Sequence, residues 1–333
     1  MKFLGNVLAV IVGLIIFTVL SFLVFFGIIG MIAASSEKEV KLEENTILHL
    51  NLNGRMLVER TSEDDFNFGC FGNPFGNDMS AGLANLKKAI EEAKTNENIA
   101  GIYLNTGLIF GGQANLLELR EALLDFKESG KWIVAYDEAF GEGGYFLASV
   151  ADEIYLNPLG GIDFNGLSSE SIFMKGFFEK VGIKPEVFRV GEFKSAVEPF
   201  ILDKMSPENR MQTQYFLDDI NSHAVGIIAQ SLKMSKDSLM NINSSMLVRK
   251  PKDAVTYGLA TELLYEDQVH AKLREKLGLE EDDDIPTINA TDLGGLAKTK
   301  NITSKNRIAV IIAEGEIVDG SAEGVISSEK FAK

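Results

Sequence analysis

The chain has a single cysteine, Cys70, in 333 residues, so no disulfide can form within it and its stability must come from packing. Its three histidines, His49, His223 and His270, lie far apart in sequence and offer no metal-ligand spacing. No metal and no cofactor is therefore expected. Cationic side chains are in deficit: 32 Lys and Arg stand against 48 Asp and Glu, a formal net charge of -16. Such a surface repels phosphate backbones, which argues against a nucleic-acid partner. There is no G-x-S-x-G nucleophile elbow, and the glycines of GEGGYF at 141–146 do not have the spacing of a dinucleotide fingerprint. Matches to N-x-[ST] at Asn243, Asn289 and Asn301 are common by chance and carry no weight.

Charge is also missing from Gly5 to Ser36, where residues 7–34 are apolar and small throughout. At about 1.5 Å per residue, a helix of that length exceeds the hydrocarbon core of about 30 Å and spans it with tilt. A secretory signal usually has an apolar region of only about 7–15 residues, so an uncleaved anchor over residues 1–36 is the expectation. Lys2 precedes the span and Glu37, Glu39, Glu43 and Glu44 follow it. The positive-inside tendency then places the bulk of a single-pass protein on the extracytoplasmic side of the membrane.

Beyond the anchor, apolar runs alternate with helical patterns. TILHLNLNG at 46–54 reads as a strand and turn, and residues 59–79 as a loop without period. Ser80 is a candidate cap for a helix with the apolar face Leu83, Leu86, Ile90 and Ala93, followed by a buried strand at 99–106. Gly111-Gly112 turns into a helix through Leu116, Leu119, Leu123 and Phe126 that ends at Gly130, before the strand WIVAY at 132–136. A third unit has a Gly-rich turn at 141–144, a short helix and a strand ending at Pro158. Ser206, Pro207 and Glu208 start a long helix that runs to about Ser231. Residues 254–269 give a helix stopped by Gly258, an edge segment, and another helix ending near Gly278. This alternation predicts a largely parallel sheet. The block EEDDD at 280–284, with the polar residues after it, predicts a linker over 280–305.

The tail repeats the beginning. Aligning Gly54 with Gly315, an offset of 261 residues (315 − 54), pairs Ile47 with Ile308, Leu50 with Ile311, Leu52 with Ala313, Met56 with Ile317 and Leu57 with Val318. Residues 46–279 are then a first repeat, and 306–333 the start of a second that the chain leaves incomplete.

The stretch with the most chemical promise is FRVGEFKSAVEPF at 188–200. Val187, Phe188 and Val190 read as strand-like before a turn at Gly191, and Phe193, Ala196 and Val197 flank Lys194. A lysine buried among such neighbours has its charged form disfavoured and can act as a general base. The competing reading is a surface lysine paired with Glu192 or Glu198. Ser195, its neighbour, is poorly placed to face it.

That stretch, with ILDKMSPENR after it, resembles the general-base segment of the long-form signal peptide peptidase A family, serine peptidases of family S49 in the ClpP/crotonase superfamily. The resemblance covers nearly the whole chain from residue 46. It implies repeated β-β-α units after one transmembrane helix, Lys194 as the general base of a Ser-Lys endopeptidase, apolar signal-peptide remnants as substrates, and a homo-oligomer. The family's nucleophilic serine lies in an A-S-G-G-Y type turn of the second repeat; here the similar turn is 140–145, with Glu142 where the serine falls. The nucleophile is thus expected to be absent from this chain, a truncated form that alone cleaves nothing. The rivals are an inactive anchored scaffold and an acyl-CoA-type enzyme on the same fold. Gly111-Gly112 resembles an oxyanion loop, though a plain strand-helix turn explains it as well.

Overall fold

In a computed structural model, the structure describes residues 11–26, 42–59, 80–296, and parts of 311–331. Residues 11–26 form helix α1, with large apolar side chains such as Phe17, Leu23 and Phe26 exposed. Among the described residues no helix is long and apolar enough to cross a membrane. The rest of the expected span, and nearly all of the expected loop at 59–79, lie outside them.

The chain continues as β1 (Thr46–Asn51), β2 (Met56–Val58), β3 (Ser80–Gly82), α2 (Leu83–Thr95), β4 (Ile99–Asn105), β5 (Phe110–Gly111) and α3 (Gln113–Lys127). It follows with β6 (Trp132–Phe140), α4 (Glu142–Ala148), β7 (Glu153–Ile162), α5 (Lys175–Val181), α6 (Glu198–Ile201) and α7 (Pro207–Leu232). Then come α8 (Lys236–Ser244), α9 (Pro251–Thr256), β8 (Glu262–Leu263), α10 (Glu266–Leu277), β9 (Thr287–Asn289), α11 (Ala290–Leu296), β10 (Ile317–Val318), β11 (Ile326–Ser327) and α12 (Ser328–Phe331).

The main sheet has six strands in the order β8-β7-β6-β4-β1-β9, and every pairing in it is parallel. Register aligns Leu48 with Ile102 and Ile102 with Ile133, so residues two apart present one continuous face. That face packs with the buried stripe of α2 (Leu83, Leu86, Ala89, Ile90, Ala93) and of α3 (Leu116, Leu119, Leu123, Phe126). The opposite face gathers Ile47, Tyr103, Val134, Tyr136 and Tyr155 with Leu264, Val269 and Leu273. Covering both faces makes the strands read as near-continuous apolar runs. Each such side chain contributes roughly 1.5–3 kcal/mol when buried.

Four local expectations are corrected. Ser80 lies in β3 and caps nothing; Gly82 is the residue before α2, because Ser80 is engaged in the parallel ladder with Met56. Strand β7 runs through Pro158 to Ile162, made possible by a register shift opposite Asp137 and Ala139. Residues 187–190 are not a strand, since no neighbouring strand offers them a ladder. Finally, the stretch expected as a linker is partly structured: β9 pairs with β1 at the sheet edge and α11 packs on α2, with Ile288 and Leu293 buried.

The described part of the tail is arranged locally like the stretch that opens the body. Strand β10 falls 261 residues after Met56 and Leu57 of β2, and it pairs in parallel with β11, which leads into α12. In that opening stretch β2 is parallel to β3, and β3 leads into α2.

Candidate functional site

The segment bearing Lys194 stands apart from the sheet. From residue 165 to residue 197 no side chain is buried, and Phe188 is 95% exposed and Val190 90% exposed. Lys194 itself is exposed, so its apolar neighbours do not supply the expected burial within this chain. With Phe188, Arg189, Val190, Phe193, Ala196 and Val197 it outlines an open hollow of about 580 Å³.

What orders this segment is Glu198, which is fully buried. Its carboxylate accepts hydrogen bonds from Ser206 N (3.1 Å), Ser206 Oγ (2.6 Å) and Asn209 Nδ2 (2.9 Å), and Arg189 Nη1 lies 3.7 Å away. Burial pushes the Glu198 pKa up, but the bonds from Ser206 and Asn209, with Arg189, outweigh it and hold the pKa below the usual carboxylate range. Ser206 in turn caps α7, its Oγ accepting from Asn209 N at 3.1 Å, with Pro207 at the first helical position. Arg189 closes the circuit by donating to Lys194 O at 3.2 Å. The turn at Gly191, with φ at +99°, lets the chain double back between them, and Lys194 N approaches Gly191 O at 3.4 Å. The lysine backbone is thus tied through Arg189 and Glu198 to the start of a 26-residue helix.

Sequence reading raised Glu198 only as a possible partner of Lys194. It is instead the hub under the lysine's loop. The S-P-E-N start of α7 was legible as a cap, and its proximity in sequence to Glu198 was the available signal for the rest.

The turn resembling the family's nucleophile site opens α4. Glu142 is half-buried and its Oε1 accepts from Gly166 N (2.9 Å) and Asn165 N (3.4 Å). Burial raises its pKa above the usual carboxylate value. Gly144 is required here, because a Cβ would lie 2.0 Å from Gly107 O. Behind it, buried Arg120 donates to Phe146 O, Ser149 Oγ (2.8 Å) and Ser231 Oγ (2.6 Å), joining α3, α4 and α7. Burial lowers the Arg120 pKa to about 10. Gly111 and Gly112 form the end of β5 and the residue before α3, the strand-helix turn. Ser195 is half-buried, and its N donates to Phe193 O at 3.1 Å. Among the described residues no group of three His, Cys, Asp or Glu is placed to hold a metal ion.

A parallel α/β body that carries a lysine on an ordered but exposed arm is the class this geometry defines. Residues 125–280, which include the arm, match the model of Peptidase family S49. The chain is 32% identical over 246 residues to Protease 4 of Haemophilus influenzae, covering 71% of this chain and 40% of that protein. It is 33% identical over 239 residues to the chloroplastic serine protease SPPA of Arabidopsis thaliana, covering 71% of this chain and 35% of that protein. A solved mutant of the 1510-N membrane-bound stomatin-specific protease aligns with a TM-score of 0.38 at 12% identity, covering 75% of this chain and 95% of that one. The chain belongs to peptidase family S49, and it spans less than half the length of these curated relatives.

Proposed function

We propose that this chain supplies the general-base half of a membrane-anchored Ser-Lys endopeptidase that degrades apolar peptides such as signal-peptide remnants. The observation that carries the reading is the arm. Lys194 sits on a ledge of exposed Phe and Val side chains, while its backbone is fixed by Arg189 and Glu198. An ordered apolar ledge in water is a surface awaiting a cover. When a second surface covers it, Lys194 is desolvated, its neutral amine is favoured, and it takes the proton from a serine hydroxyl on that surface. The serine comes from a further repeat, because Glu142, an anionic acceptor, stands at the matching turn of this one. The homo-oligomer and the ClpP/crotonase architecture belong to the same proposal. The charge-free segment 5–36, helical over 11–26, supports an anchor that keeps the site beside the bilayer, where apolar peptides partition.

An activity-based serine probe tests this. Labelling is expected in a longer form containing the second repeat, and lost in its Lys194→Ala variant. This 333-residue chain alone is expected not to label. Equal labelling of wild type and Lys194→Ala would contradict the base role and favour the scaffold.

A further inference from the structure

A second cavity, open to solvent past Phe110 and Leu167, lies between α3, α4, α7 and α8. It measures about 270 Å³, and Leu116, Phe146, Ala224, Val225 and Ile228 give it apolar walls. We propose that this cavity binds an uncharged apolar peptide segment and holds it without cutting it. The proposal rests on the reading that the protein handles apolar peptides, and it adds a site separate from the Lys194 ledge.

Three observations fix the ligand's chemistry. First, Asn243 lines the cavity and is 1% exposed. Its Oδ1 accepts from Asn221 Nδ2 at 2.9 Å, while its own Nδ2 has no hydrogen-bond partner among the described residues. A buried donor left unpaired is costly, and a neutral carbonyl oxygen is the group that would satisfy it. Second, the carboxyl of Glu142 also lines the cavity, within a chain of net charge -16, so a free carboxylate or phosphate is disfavoured. Third, the volume falls just under the usual range for ligand pockets of roughly 300–1,000 Å³, which suits branched aliphatic side chains rather than a long acyl tail. A peptide amide with leucine-like side chains meets all three conditions.

Holding without cutting follows from the wall. Among the residues lining the cavity there is no Ser, Thr, Cys, Lys or His, and Glu142 already accepts from Asn165 N and Gly166 N. The place where a nucleophile would stand therefore carries a carboxylate, and the pocket behind it is left as a binding site alone. Burial of Asn243 also removes it as a glycan acceptor in the folded chain.

The test is photo-crosslinking of the full chain in lipid nanodiscs with acetyl-photoleucyl-leucinamide, the sites being mapped by mass spectrometry. Saturable labelling is expected on Phe146 and within residues 220–228. It should fall at least fivefold in Ala224→Phe, which fills the cavity. Asn243→Asp should reduce it as much, because this change keeps the acceptor for Asn221 and removes the donor. The same probe with a free carboxylate should label several-fold less, and Glu142→Gln should close that gap. Unfolding midpoints show that the variants remain folded; should Ala224→Phe fail to fold, Asn243→Asp decides. Labelling confined to residues 188–197, absent altogether, or indifferent to both substitutions overturns the pocket. Such a result leaves the Lys194 reading standing, and failure of the serine-probe experiment would leave this labelling untouched.

Discussion

The sheet-bearing body and the 165–205 arm are made from similar residues used in opposite ways. In the body, Leu48, Ile102 and Ile133 sit in register and vanish beneath helices. In the arm, Ile172, Phe188 and Val190 are as apolar yet remain in solvent, and the order comes from polar bonds converging on one buried carboxylate, Glu198. The difference teaches where each part is finished. The body buries its apolar side chains within itself, whereas the arm leaves Ile172, Phe188 and Val190 uncovered.

The sharpest way to break this comparison is to unfold the body while leaving the arm's bonds alone. Arg120→Ala removes three hydrogen bonds and leaves a cavity between α3, α4 and α7. It is expected to cost about 3 kcal/mol, read as a shifted denaturation midpoint. A smaller effect of opposite sign is expected at Asp137, a buried carboxyl on β6 that accepts from Asn53 Nδ2 at 3.2 Å. Burial pushes its pKa up to about 6, against the pull of the Gly107 and Glu138 N–H groups. The native state therefore binds this proton more tightly than the unfolded chain, and stability falls as pH rises from about 4 through 6. Asp137→Asn should flatten that slope and be more stable than wild type by about 2 kcal/mol at pH 8, the gap narrowing below about pH 6 and closing near about pH 4. Denaturation curves at several pH values check this; a gap independent of pH would show that the proton is not the cause.

The arm should respond differently. Glu198→Ala frees Arg189, Ser206 and Asn209 together. Tryptic cleavage after Arg189 or Lys194 is expected to quicken roughly tenfold, while the body's unfolding midpoint barely moves. The smallest change is expected from Phe188→Ser, within about 0.5 kcal/mol of wild type, because that ring is 95% exposed among the described residues. A clearly destabilised Phe188→Ser would show that the arm is part of the body after all.

How much was legible in the sequence divides along the same line. The strands β1, β4 and β6 announce themselves as apolar runs because both of their faces are covered, and Gly130, Gly258 and Gly278, at positive φ, mark where α3, α9 and α10 stop. The strand β9 was hidden, since Thr287-Ile288-Asn289 has one apolar residue among three and follows an acidic block. At the site, Lys194 and the Ser206 cap could be found from local residues. The role of Glu198 could not, because its burial is created by the fold of the loop itself. Nor could the Asn243 cavity, which exists only where α7 and α8 meet α4.

The placement of β9 bears on how this protein can be cut down for study. Thr287–Asn289 seals the rim of β1, whose other side is already taken by β4. A version ending at residue 279, where the first repeat reads as finished, would leave that rim's amide and carbonyl row open to recruitment by a neighbouring molecule. Recombinant fragments should therefore extend through Leu296, or clumping in the test tube will be mistaken for biological assembly.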